Sequence, residues 1–526
     1  MPVTPARRIA FDVLRRVEAE GAYASDVLHA ELGGGSNLKS SKTKVSNFKS
    51  ANFKSEDAAL ATELALGVLR QRRLLDFLLA RQLKKPVEKL DLPVLLALRM
   101  GLYQIRFLER IPARAAVNES VELVKLAKKF SAATLVNAVL RRAADEAHNP
   151  VEGFLPANLP LVDRLGILYS HPTWIVERWL ARLGGPQTLA LLEANNRTPR
   201  LACALHTQSV ASSTLEGRSF NSSANRPLRS LGNQNSSLGG RSFSSDIQSP
   251  EASGALAPED NLLQVPLFDL LEKSGLRIEP GLLLKNAFAL SGGSPTRTDA
   301  FRKGLFSIQD EASQIIPLLL DVQPGDSVLD LCAAPGGKTA PLVRAAGSAG
   351  LVVAADRHAH RLRAMRDQFK RLGLARVKLI ELDAARPLPF RQEFKRILVD
   401  APCSGTGTLA RHPEIRWRLR PEQLAEFHHL QVALLKNALA QLAPGGRLVY
   451  STCSMEPEEN EDVVADALRE APLIRRVSVD KAIHALNPHL ASGAKAEKLF
   501  DAAGYFRSSP ADYPTDGFFA AILEKQ

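Results

Sequence analysis

Cys403 and Cys453 stand 50 residues apart, each just past a strand-like run, in RILVDAPCSGTG and RLVYSTCSMEPEEN. A thiolate is a strong nucleophile, and thiols at the ends of neighbouring strands would share one cleft. Upstream, LDLCAAPGGKT (329–339) lies between a strand-like and a helix-like run, with Gly336 and Gly337 at a turn where backbone can approach a ligand closely. The pattern is neither a GxGxxG fingerprint nor a Walker loop. Few reactions need a cofactor loop and two thiols together. Methyl transfer to C5 of a pyrimidine is one: C5 is a poor nucleophile until a thiolate adds to C6 and makes it carbanion-like. A base then removes the C5 proton and the thiol is eliminated. Each cysteine by itself would equally suit a small buried core position.

Carboxylates stand at comparable points. Asp356 in VVAADRH follows a strand-like run where a carboxylate can bind ribose hydroxyls, Asp383 in IELDAARPL would face an adenine, and Asp400 precedes the Pro-Cys turn, placed to hold developing charge at a base. Alone, each would be a turn or helix cap. At one edge of one sheet they indicate a nucleoside cofactor. A thiolate is expected to be stabilised beside Lys338 and the helix that starts after Cys453. The acidic run that follows, MEPEENED, reads as helix capping with a solvated face.

These residues need a scaffold. From about residue 301 the rhythm is strand, helix, strand, with strand-like runs at 327–331, 351–355, 377–381, 396–400 and 447–451 and FFAAILEK as an edge or inserted strand. Alternation of this kind predicts a mostly parallel sheet covered on both faces. Residues 5–145 carry apolar positions at helical spacing, including Ile9, Val13 and Val17, and Leu64, Val68, Leu75 and Leu79. Their basic residues (Arg70, Arg72, Arg73, Lys84, Lys85, Lys128, Lys129, Arg141 and Arg142) suit either an ordinary charged surface or an RNA-contacting module. Between them, 155–205 and 261–300 read as two short helices followed by a small α+β module. Two polar stretches, 33–56 and 206–260, are rich in Ser and Asn and are expected to be flexible insertions. The expected domains are therefore 1–147 (helical), 148–300 (middle) and 301–526 (α/β).

The chain has 526 residues and net charge +12, which suits several domains and a polyanionic partner. Four cysteines, Cys203, Cys332, Cys403 and Cys453, form no CxxC pair, so neither a zinc ribbon nor a secreted disulfide scaffold is indicated. No apolar run approaches the ~20 residues of a membrane helix, and the start lacks a signal-peptide core. A cytoplasmic, monomeric protein is the expectation.

CAAPGGKT, DAPCSGTGTLARHPEIRW and STCSMEPEEN together resemble the RNA cytosine-C5 methyltransferases of the Sun/NOP2 family, and residues 5–145 resemble the NusB-like RNA-binding domain of its bacterial branch. The resemblance implies a NusB-like helical domain, an RNA-recognition-like middle module and a Rossmann-like methyltransferase domain. It implies S-adenosyl-L-methionine as methyl donor and 16S ribosomal RNA, free or in a small-subunit assembly intermediate, as substrate, with no metal and no membrane. It makes Cys453 the nucleophile and Cys403 the thiol that assists release. It carries the cofactor loop onto Cys332, Ala333, Ala334, Pro335, Gly336, Gly337 and Lys338, the ribose carboxylate onto Asp356 and the adenine-side carboxylate onto Asp383, with Asp400 shared between cofactor and base. The insertion at 206–260 departs from the family. The competing readings are a methyltransferase of another RNA or of DNA cytosine, the DNA enzymes placing their nucleophile in the Pro-Cys motif, and a catalytically silent RNA-binding assembly factor.

Overall fold

The computed structural model describes residues 3–33, 55–206 and 264–526; the bulk of both expected insertions, 34–54 and 207–260, lies outside the described residues. The chain builds a helical domain, a small mixed module and a large α/β domain.

Among the described residues, seven α-helices form the first: Pro5–Glu20, Ala24–Gly33, Ser55–Arg70, Arg72–Gln82, Leu92–Phe107, Ala113–Leu126 and Ala133–Asp145. The Leu92–Phe107 helix is central because its apolar residues run all round it: every position from Val94 to Gln104 is buried. A buried helix of this kind tolerates Arg99 only with partners, and the Asp76 carboxylate accepts from it at 2.7 and 2.8 Å.

The middle module begins with helices Leu161–Leu168 and Thr173–Ala194; the second breaks at Gly184 (φ 76°), so TWIVERWLARL and the rest are two short helices, as expected. Its sheet contains β1 (Leu201–Leu205), β2 (Arg277–Pro280), β3 (Ala287–Ser291) and β4 (Phe306–Ile308), antiparallel throughout in the order β2-β3-β1-β4. Strand β4 lies beyond residue 300, so this sheet runs past the expected boundary; a three-residue strand is too short to show alternation in sequence.

The large sheet comprises β5 (Ser327–Leu331), β6 (Leu351–Asp356), β7 (Val377–Glu381), β8 (Phe394–Asp400), β9 (Leu442–Thr452), β10 (Ile474–Arg476), β11 (Phe506–Ser508) and β12 (Phe518–Lys525). Its order is β10-β12-β9-β8-β5-β6-β7, with β11 on β12. Strands β5 to β9 are parallel, and β12 enters antiparallel beside β9. FFAAILEK is thus an inserted strand. Apolar clusters cover both faces, one around Ile315, Leu398 and Val449, the other around Leu329, Val399 and Leu435. The order of strands reverses between β5 and β8, and ligands of such sheets sit at the carboxyl end of that switch point.

The three parts interlock along one segment, 409–418, which directly follows the Pro-Cys loop. Ala410 O accepts both Nε and Nη2 of Arg70. Trp417 Nε1 donates to Leu69 O at 2.7 Å, and Arg418 reaches the carbonyls of Val17, Gly21 and Ala22. Arg416, fully buried, donates to Ser170 O, Asn195 O, Asn196 Oδ1 and Leu409 O. Part of the basic cluster is spent here. Arg70 is buried, Arg72 lies over the Trp417 ring at 5.4 Å, and Arg73 holds Asp163 and His171 O. Those three arginines are domain fasteners rather than a solvent face, whereas Lys84, Lys85, Lys128, Arg141 and Arg142 are exposed.

Candidate active site

The glycine loop follows β5 and turns sharply. Cys332 itself takes a left-handed backbone (φ 64°), as does Gly336 (φ 100°), where an added Cβ would also strike the Phe369 ring and Met365. Glycine is therefore required there twice over, by conformation and by space. The turn delivers Lys338 to the start of helix Thr339–Ala346, and Lys338 Nζ donates to Asp400 Oδ2 at 2.7 Å. Ser451 Oγ donates to Asp400 Oδ1 at 2.9 Å, so the ends of β5, β8 and β9 meet on one carboxylate. Burial works against the Lys338 ammonium, but the charge of Asp400, its hydrogen bond and the nearby Cys453 hold its pKa above the ordinary lysine range.

The two sulfurs converge. Cys403 Sγ lies 3.2 Å from Cys453 Sγ, and both cysteines are free thiols. The hydrogen bond to Cys453, then burial, then the charges of Cys453, Glu459 and Asp400 push the Cys403 thiol well above its usual range. Gly407 allows the approach: its N–H donates to Cys453 O at 2.9 Å, and its own carbonyl accepts from Gly517 N–H at 2.8 Å. The Phe518 ring at the start of β12 lies under Lys338 Nζ, 4.9 Å from its centroid.

Beside this centre, at the β5/β8 switch point, is a cavity of about 220 Å³ lined by Cys332, Ala333, Ala334, Pro335, Gly337, Lys338 and Asp400. Gly336 is the turn behind that lining. Asp356 stands at the end of β6 with its carboxylate buried, accepting from the N–H groups of Ala334 (3.2 Å) and His358 (2.9 Å), with Arg361 at 3.4 Å. It holds the loop, and it does not line the cavity. Asp383 caps its own turn through Ala385 N–H at 3.2 Å and likewise lies outside the lining. A larger groove, about 1000 Å³, lies along the edge strand β7, away from both thiols.

Two sets of residues escaped the sequence reading. Asp330 lines the cavity, is 1% exposed, accepts Thr339 Oγ1 at 2.6 Å and leaves Oδ1 without a partner. Burial lifts its pKa to about 7, opposed by the Thr339 bond. A charged residue inside the apolar run SVLDL was the available signal. The acidic run after Cys453 is not a solvated face: Glu456 and Glu459 are buried. Glu456 accepts from Trp179 Nε1 at 3.0 Å and from Arg178, and Glu459 accepts from Ser404, Ser454 and Gln431. Several donors per carboxylate offset the cost of removing it from water.

The residues fit a cationic nucleoside cofactor. Gly336 and Gly337 leave the loop backbone bare, and the carboxylates of Asp330 and Asp400 border the cavity, one with an unpaired oxygen. Among the described residues no group of His, Cys, Asp and Glu side chains could hold a metal ion, and no helix is long and apolar enough to cross a membrane.

The sequence model of the 16S rRNA methyltransferase RsmB/F family matches residues 317–524, and that of the NusB family matches residues 4–145. A ribosomal RNA small subunit methyltransferase B of Salmonella paratyphi B is 31% identical over 421 residues, 79% of this chain and 83% of its own. The probable small subunit methyltransferase B of Synechocystis is 30% identical over 99% of both chains. The chain belongs to the RsmB/F methyltransferase family. The family's Bacillus subtilis representative, also a probable small subunit methyltransferase B, is 29% identical over the whole of both chains. Among solved structures, a methyltransferase homologue from Pyrococcus horikoshii aligns over 70% of this chain and all of its own at 26% identity (TM-score 0.50). The crystal structure of PH0851 shares the fold across both full chains (TM-score 0.72, 22% identity). Membership makes this chain an RNA methyltransferase with a NusB-type helical domain.

Proposed function

We propose that this enzyme methylates C5 of a cytosine in 16S ribosomal RNA, using S-adenosyl-L-methionine, through a covalent bond between Cys453 and C6 of the base. The observation that carries the reading is the pair of sulfurs 3.2 Å apart beside the Lys338–Asp400 pair and the cavity at the switch point. A methyl transfer to oxygen or to an exocyclic nitrogen needs no thiol, and two in contact at the reacting edge point to C5 of a pyrimidine.

The loop 332–338 and the carboxylates of Asp330 and Asp400 hold the cofactor in this reading, with Asp356 fixing the loop that approaches the ribose. When bound, S-adenosyl-L-methionine supplies an electrophilic methyl group. Cys453 adds to C6, and the electron pair released into the ring makes C5 nucleophilic. Asp400, poised between Lys338 and Ser451, accepts a hydrogen bond from the base or shares a proton with it as charge develops near N3. Lys338 neutralises that charge. A water molecule takes the C5 proton as the Cys453–C6 bond breaks; Cys403, in contact with Cys453 and holding its own proton, gives that proton to the departing sulfur and recovers one from the water. The exposed Lys84, Lys85, Lys128, Arg141 and Arg142 on the helical domain, with Phe130 66% exposed, offer phosphates and a base a landing face.

Labelled methyl transfer to 16S rRNA fragments, with 5-methylcytosine mapped in the product, tests the assignment. Cys453→Ala should abolish it. Transfer at full rate by that variant, or label on a purine, overturns the proposal.

A further inference from the structure

We propose that Glu459 is a positioning residue that ties the two cysteine loops together and whose charge favours the protonated form of Cys403. The inference deepens the reading above and rests on it for the roles of the two sulfurs.

Ser404 follows Cys403, and Ser454 follows Cys453. The Glu459 carboxylate, wholly buried, accepts from both: Ser404 N–H at 2.7 Å and Ser404 Oγ on one loop, Ser454 Oγ on the other. Gln431 Nε2 adds a fourth bond at 3.1 Å, and the same amide group reaches Pro402 O at 2.9 Å, the carbonyl just before Cys403. The two hydroxyls also touch at 3.1 Å, and Thr406 Oγ1 lies 3.3 Å from Ser454 Oγ. The tethers on Pro402, Ser404 and Ser454 thus act one residue away from a sulfur, on both loops at once. This fixes the approach of Cys403 to Cys453 without any contact between the carboxylate and substrate.

The charge matters as well as the bonds. Glu459's partners are an amide N–H, two hydroxyls and a carboxamide, all neutral, so its negative charge is not cancelled by them. Cys403 faces Cys453, Glu459 and Asp400, whose negative charges all oppose its ionisation. Lys338, held by Asp400, lies within electrostatic reach of Cys453. Glu459, bonded to Ser404 next to Cys403, is one of the charges that keep that thiol protonated, so losing its charge eases the ionisation of Cys403.

The test uses the full-length protein without RNA or cofactor. Iodoacetamide is applied at mildly alkaline pH, and the ratio of alkylated Cys453 to alkylated Cys403 is read by peptide mass spectrometry. Glu459→Gln keeps the shape and removes the charge; the ratio should fall by about tenfold or more, the equivalent of one unit of pKa. An unchanged ratio overturns the proton assignment. Ser404→Ala combined with Ser454→Ala keeps the charge and cuts the tethers. Disulfide formation between Cys403 and Cys453 by diamide should then slow several-fold, and an unchanged rate overturns the tethering role. If Glu459→Gln loses cooperative unfolding, the diamide rate of the double serine variant decides: it should fall, and an unchanged rate overturns the proposal. Because no substrate is present, a failure here leaves the methyl-transfer assignment standing, and a failure of that assignment leaves these ratios readable.

Discussion

The two cysteine loops depend on the other domains to different degrees. The Thr-Cys loop is largely fastened from within its own domain: Thr452 Oγ1 bonds Asn460 Oδ1, Asn460 Nδ2 bonds Ser454 O, and Tyr450 OH bonds Glu459 O. The Pro-Cys loop runs on into 409–418, whose side chains and carbonyls are gripped by the helical domain and the middle module. The sulfur assigned the nucleophilic role thus sits mostly on local structure, although Glu456 reaches the middle module through Trp179 and Arg178. The sulfur assigned to release sits on structure that depends on distant parts of the chain. In the proposed mechanism, product release then depends on the other two domains being in place.

Substitutions can break or sharpen this contrast. Cys453→Ala should reduce methyl transfer to rRNA on the order of a thousandfold or more, with no covalent complex on denaturing gels. Cys403→Ala should instead let a denaturation-resistant enzyme–RNA adduct accumulate; a Cys403 variant that turns over normally would remove the release half of the comparison. Asp400→Asn keeps both loops but weakens the Lys338 pair, and the rate should drop ~100-fold or more, read as kcat with KM for RNA little changed.

Arg416→Met strikes only the outward anchorage. It leaves the carbonyls of Ser170, Asn195 and Leu409 without their buried donor, a loss of about 3 kcal/mol. Urea unfolding should show it. Adduct should also persist longer in this variant than in one that disturbs the Thr-Cys side; equal lifetimes would mean the loops do not differ.

The smallest effect concerns pH. Asp330 titrates at about 7 in the folded chain, above the ~4 of an unfolded aspartate. The folded state therefore binds the extra proton. The stability this confers is complete below pH ~4 and is lost as pH rises through about 7. Asp330→Asn removes the titration, so between pH 6 and 8 the wild type should lose about 1 kcal/mol relative to the variant. A constant difference between the two denaturation midpoints would refute the burial argument.

Much of this could be read in the chain before any coordinates. The strands that end at Leu331, Asp356, Glu381, Asp400 and Thr452 are apolar runs closed by a turn, and that pattern is local. The cysteines, Lys338 and Asp400 were legible because each lies at such an end. Strand β4 was not, since three residues carry no period. Nor were the roles of Arg70, Arg72 and Arg73, whose partners in the other domains lie 90 or more positions away; a basic residue on a helix looks the same whether it meets solvent or a distant carbonyl. Glu456 and Glu459 misled for the reverse reason. An acidic run normally signals water, and only the fold shows the donors that replace it.

Strand β12 has a consequence for biosynthesis. It occupies an interior place in the sheet, against β9, yet it is made after every other strand. Domains emerging from a ribosome fold from the amino end onward, so β9 must wait with its hydrogen-bonding edge bare while Lys338 lacks the Phe518 ring beneath it. A nascent chain can therefore present its helical domain to RNA well before it can react. Catalytic competence should appear only once β12 has been made and has taken its place beside β9.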